Sequence, residues 1–183
     1  MAPETTLTGR WIGEYEQSGR SAPIEADLVV APDGALSGTM RDVRTDQDLS
    51  VFEATASAGL PPGSDEQIEA VLRKLLPDRA GSPIRFVTHL PSDSLLEGQV
   101  EGRSVRFLKT YRGESYSGYK VGDAIVGEHS DSHSVHYKGR LSSDGRILEG
   151  KWWIDADPSR GTDRAEGPFI LHRRDADPGP EAR

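Results

Sequence analysis

The stretch Leu148-Glu149-Gly150-Lys151-Trp152, within Arg146–Asp155, decides how the chain is read. Its shape, Leu-x-Gly-x-(large apolar), occurs four times: Leu7-Thr8-Gly9-Arg10-Trp11, Leu36-Ser37-Gly38-Thr39-Met40, Leu96-Glu97-Gly98-Gln99-Val100, and here. In each copy leucine, glycine and the large residue fall on one face of an extended strand, and the intervening residues fall on the other. Turned inward, the glycine leaves room for a neighbouring ring and lets the strand bend, as a small closed barrel requires. The repeat is thus a packing unit. Trp152 and Trp153 take opposite faces, so at most one is core, and exposure of Trp153 would need a reason.

Working outward, most of the chain alternates in the same way. Residues 9–17 place Trp11, Gly13 and Tyr15 on one face, and residues 23–31 place Ile24, Ala26, Leu28 and Val30 on one face. Pro32-Asp33-Gly34 is a hairpin turn into 35–42, and Ser142-Ser143-Asp144-Gly145 is a second Asp-Gly turn. Further strands are expected at 83–90, 95–101, 104–112, 133–141, 146–154 and 167–174. A short strand is expected within 49–56, and weak ones at 117–121 and 124–128. One helix is expected over 64–76, with Ser64 as N-cap, Gln67 at the capping-box position, and Ile68, Val71, Leu72 and Leu75 on one face.

The fold class that follows is all-β: an antiparallel up-and-down barrel of about eight to ten strands with one inserted helix. The alternation also suits a two-sheet sandwich. Residues 1–174 are read as a single domain carrying an insertion at 43–82, and the Asp/Pro/Gly-rich tail 175–183 as disordered. If strand one runs up, both Asp-Gly turns lie at the lower end and the last strand can close the sheet beside the first. Trp11 then meets Arg173 at that end. The long segments gather at the other end, where a site is expected, with the helix as lid or plug.

Gly9-Arg10-Trp11 on a first strand, with an arginine late on the last strand, resembles the calycin superfamily of lipocalins, fatty-acid-binding proteins and avidins. The resemblance implies a barrel closed at one end by the tryptophan, with the arginine packed over its ring. The lipocalin Thr-Asp-Tyr motif is missing, since Thr45-Asp46 is followed by Gln47. No biotin-site residues carry over from the avidins.

Bulk properties exclude several classes. The chain has 183 residues, 34% of them apolar, and a net charge of -8; its mean hydropathy is -0.58. That charge disfavours a nucleic-acid partner, and the short basic runs Arg103–Lys109 and His172–Arg174 read as solvent-facing strand positions. Absence of cysteine removes disulfides, thiolate metal sites and cysteine nucleophiles. No signal peptide or membrane span is recognised, so a cytoplasmic protein with no membrane partner is expected. No cofactor is expected, and nothing indicates an oligomeric state.

Candidate chemistry is sparse. Tyr15, Asp42, Lys109, Tyr111, Tyr137 and Trp152 fall on inward faces near the expected site and are the ligand-binding candidates. Lys109 is the sharpest, because a buried ammonium needs a partner: a rim position, a ligand anion or a carboxylate. His129, His133 and His136 are a weak alternative as metal ligands, with Asp131 or Glu128 adding oxygen. Carboxylate pairs such as Glu14/Glu16 are expected on outer faces in a chain with 30 acidic residues. No nucleophile elbow, phosphate loop or dinucleotide fingerprint occurs. Three functions remain: a non-enzymatic module binding a small molecule, an interaction or structural domain with a filled barrel, and a metal-dependent enzyme using the histidines.

Overall fold

A computed structural model of the chain describes residues 7–43, 46–130, 133–159, 161 and 163–174. The expected tail 175–183 and the candidate oxygen ligand Asp131 lie outside these residues. In chain order the elements are β1 (Gly9–Gln17), β2 (Arg20–Val30), β3 (Ala35–Asp42), β4 (Gln47–Ser50), α1 (Val51–Ser57), α2 (Ser64–Leu75), β5 (Ile84–His89), β6 (Asp93–Glu101), β7 (Ser104–Tyr111), β8 (Ser115–Val121), β9 (Ala124–Ser130), β10 (Ser134–Leu141), β11 (Ile147–Ile154) and β12 (Ala165–Arg173). A three-residue 3-10 turn, Pro77–Arg79, follows α2.

Two compact units result. The first, from segments 1–44, 92–112 and 133–183, contains a closed barrel in the order β1-β12-β11-β10-β7-β6-β3-β2. Every neighbouring pair is antiparallel, so this is an up-and-down barrel of eight strands. Closure is by β12 against β1, with Arg173 directly opposite Trp11. Both Asp-Gly turns lie at the lower end, each with glycine at positive φ (Gly34 at 85°, Gly145 at 70°).

Alternation fills the interior. Trp11, Ile24, Leu28, Met40, Leu96, Val105, Leu141, Leu148 and Leu171 are almost wholly buried, each worth about 1.5–3 kcal/mol of transfer free energy. Phe107 stacks on Tyr137 with centroids 4.8 Å apart, and Phe169 meets Tyr137 edge-on at 5.0 Å. At the lower end the Trp11 indole N–H donates to the Leu7 carbonyl (2.9 Å), and the Arg173 guanidinium donates to the Thr8 carbonyl (2.9 Å).

Three of the four glycines of the repeated unit, Gly38, Gly98 and Gly150, sit where strands approach most closely, whereas a Cβ on Gly9 would meet only the Arg173 side chain, at 3.5 Å. A Cβ on Gly150 would collide with the Lys138 carbonyl oxygen and lie 2.5 Å from the Gly139 Cα. Gly38 and Gly98 likewise abut the carbonyl oxygens of Asp27 and Arg106. The dominant constraint is therefore backbone against backbone, with ring accommodation secondary: at Gly139, opposite Gly150 in register, a Cβ would lie 2.9 Å from the Phe169 ring.

The second unit, from segments 45–91 and 113–132, is a four-stranded antiparallel sheet in the order β4-β5-β8-β9 with the helices. Its core is Val51, Leu72, Ile84 and Val121. Of the short strand expected within 49–56, Leu49 and Ser50 belong to β4, whereas 51–56 are helix. Ser50 and Glu53 form a complete capping box, and the buried positions Val51, Ala54 and Thr55 have helical spacing. Helix α2 occupies the expected span, but its N-cap is Gly63 at φ 84°, with no side-chain cap. The chain enters through the left-handed glycine, so Ser64 is already helical and does not cap. Of the expected apolar face, Leu72 is buried, whereas Val71 and Leu75 are exposed. Among the described residues, no helix is long and apolar enough to cross a membrane.

All three tryptophans lie on β1 and β11, so their fluorescence reports the barrel. Gly150→Ala is expected to lower barrel stability by about 1–3 kcal/mol in tryptophan-monitored urea unfolding, as overpacking does. Gly81→Ala, where a Cβ meets nothing within 4 Å, leaves the midpoint unchanged. Equal midpoints for both variants would refute the close-approach account.

Candidate functional site

Asp42 ends the inward face of β3, and Lys109 and Tyr111 are the last inward residues of β7. Both strands pair with β6, which lies between them. The Lys109 ammonium donates to one oxygen of the Asp42 carboxylate and to the Tyr111 hydroxyl, the latter at 2.9 Å. The Tyr111 hydroxyl in turn donates to the other Asp42 oxygen. The ammonium also lies 4.3 Å from the Tyr111 ring centroid and 5.8 Å from that of Tyr15. Beside this triangle the Ser94 hydroxyl donates to the Met40 carbonyl at 2.8 Å.

The partner that Lys109 requires is thus Asp42, 67 residues earlier in the chain. Removing both charges from water is costly, and only good geometry with further hydrogen bonds offsets that cost. Tyr111 supplies those bonds, accepting from the ammonium and donating to the carboxylate.

The other expected site residues join the same core. Tyr15 meets Trp152 edge-on at 5.8 Å, the Trp152 indole donates to the Glu16 carbonyl at 3.0 Å, and Tyr137 lies in the Phe107 stack. All six candidates are between 0% and 6% exposed, so they are shielded from open solvent.

The three histidines have separate environments. His129 lies 3.2 Å from the Glu114 carboxylate, His133 packs 4.5 Å from the Tyr111 ring, and His136 stacks on Trp153 at 5.0 Å with its Nε2 3.1 Å from Asp155. Among the described residues no group of three or more His, Asp or Glu side chains is placed to hold a metal ion.

A different feature lies on the barrel's outer wall. A groove of about 720 Å³ runs over β10 and β11, above the Gly139–Gly150 pair. Lys138 and Lys151, directly opposite each other in register, line it together with Arg140 and Glu149. Trp153 and Arg164 form one wall, the guanidinium 5.4 Å from the indole centroid and 3.0 Å from Glu166. This accounts for the second tryptophan of the Trp152-Trp153 pair: it faces outward but is half-buried between His136 and Arg164. In the sequence Trp153 stands out, whereas the lysines do not. They alternate out of phase with the core and read as ordinary surface until the strand register sets them side by side.

No family profile, curated protein or solved structure compared with the chain matches it.

Lys109→Met is expected to destabilise the barrel by about 3–5 kcal/mol by leaving the Asp42 carboxylate buried without its cation. Lys109→Met combined with Asp42→Leu recovers most of that loss. A double variant no more stable than the single one, in tryptophan-monitored urea unfolding, would show that the pair is not the source of the cost.

Proposed function

We propose that this protein is a non-enzymatic binding module in which the barrel is a filled scaffold and recognition takes place in the outer groove over β10 and β11. One observation carries the reading. The large inward side chains, the Asp42–Lys109–Tyr111 group included, are buried and engaged with one another, whereas the groove is open and ligand-sized. Small-molecule sites occupy about 300–1,000 Å³. The expected small-molecule ligand is kept, but its place moves from the upper end to the outer wall.

The calycin-like outline belongs to this proposal. It is supported by the eight-stranded meander and by Arg173 opposite Trp11 at the lower end. Carrying a lipophile inside the barrel, as that resemblance would suggest, is not part of it.

A second reading, an interaction domain, is favoured by Val71 and Leu75 of α2, which are 55% and 60% exposed. An apolar helix face left in water suits a protein contact.

Titration with a long-chain fatty acid and with an anilinonaphthalene dye tests the filled scaffold. No stoichiometric uptake is expected, whereas Phe107→Ala, which opens an apolar void, gains a thermal shift with benzene. Stoichiometric uptake of fatty acid by the unaltered protein, with quenching of its tryptophans, would overturn the proposal.

A further inference from the structure

We propose that the outer groove takes a small organic phosphate, with the phosphate held between Lys138 and Lys151 and the organic body against Trp153. This rests on the outer-groove reading above and gives that site a ligand class.

The outer faces of β10 and β11 carry an unfavourable arrangement of charge. Lys138 and Lys151 are directly opposed on β10 and β11, and Arg106 of β7 continues the row opposite Lys138. Like charges directly opposite on a sheet face destabilise it. The chain has 30 acidic against 22 basic residues, so carboxylates are plentiful on its surface. Yet the nearby carboxylates are engaged elsewhere: Glu101 pairs with Arg106 at 3.0 Å, and Glu166 with Arg164 at 3.0 Å. Among the described residues no ion pair reaches Lys138, Lys151 or Arg140. Glu149, opposite Arg140 in register, is the remaining acid in the groove. Two exposed ammonium groups are thus left facing the same space.

Opposed side chains of an antiparallel pair start about 5 Å apart at Cβ. Two flexible ammonium groups at that separation can both reach the oxygens of one phosphate, as compact point charges suited to that anion. Arg140, two residues along β10, lies on the same outer face and adds a third donor. The groove volume leaves space for more than inorganic phosphate, and the Trp153 wall gives that space an apolar side. A nucleic-acid strand would need a long basic track, which a chain of net charge -8 does not offer.

Calorimetric titration of the full chain in low salt with 1-naphthyl phosphate, inorganic phosphate and 1-naphthol tests the assignment. Naphthyl phosphate is expected to bind one to one, more tightly than either half alone. Lys138→Gln with Lys151→Gln is expected to weaken it roughly ten- to hundredfold, the range of lost charge-assisted hydrogen bonds, while Arg41→Gln, on β3, leaves it unchanged. Without ligand the lysine double variant is expected to be at least as stable as the parent, so lost binding is not lost folding. No saturable binding of naphthyl phosphate, or equal affinity in the double variant, would overturn the assignment. If the barrel also refuses fatty acid, the filled scaffold stands and only the ligand class falls. If naphthol binds as tightly as its phosphate and the lysine variant is unaffected, both readings fall.

Discussion

Closing eight short strands into one barrel brings neighbouring backbones closer than side chains permit, and the rest of the structure depends on how that conflict is met. At Gly38, Gly98 and Gly150 the space a Cβ would need holds a carbonyl oxygen of the adjacent strand. These glycines are consequences of curvature rather than of turn geometry. Once they allow the sheet to coil, the aromatic layer of Phe107, Tyr137 and Phe169 can meet across the interior.

Much of this was legible because period-two alternation is strong in the barrel strands. Trp11, Gly13 and Tyr15 in β1, or Val105, Phe107, Lys109 and Tyr111 in β7, declare their inner face without a partner being known. The second sheet is written differently. Buried positions in β8 are Ser115, Gly118 and Val121, a spacing of three with small residues, so alternation finds weak strands there but not their pairing with β5. Residues 51–57 mislead in the opposite way. Val51, Glu53 and Thr55 alternate like a strand, but the Ser50–Glu53 capping box gives the backbone a local alternative that decides for helix.

The site was legible residue by residue and not as an assembly. Lys109 demanded a partner and Asp42 stood out as an inward carboxylate, yet joining them requires the register of β3, β6 and β7. The same holds on the outer wall. Lys138 and Lys151 are unremarkable on their own strands, and only the pairing of β10 with β11 makes them neighbours. Charge on this barrel therefore follows opposite rules on its two faces. Inside, among the described residues, the buried Asp42 and Lys109 are matched in a closed triangle with Tyr111, whereas outside two lysines are left side by side.

The order of strands around the barrel also bears on how the chain acquires its fold. The meander runs strictly in sequence, but it is interrupted twice by segments of the second unit and closed by pairing residues as far apart as Trp11 and Arg173. Contacts of such separation form late, because a long loop must be ordered before they reward it. During synthesis the strands β4, β5, β8 and β9 are all made before β11 and β12 exist. The smaller sheet can therefore be complete while the barrel is still an open sheet, with β1 an edge unpaired on one side that carries Trp11, Ile12 and Tyr15. An edge of that kind is where a partly made β-protein is most exposed to the wrong neighbour. For this chain the hazardous interval ends only when its last strand arrives.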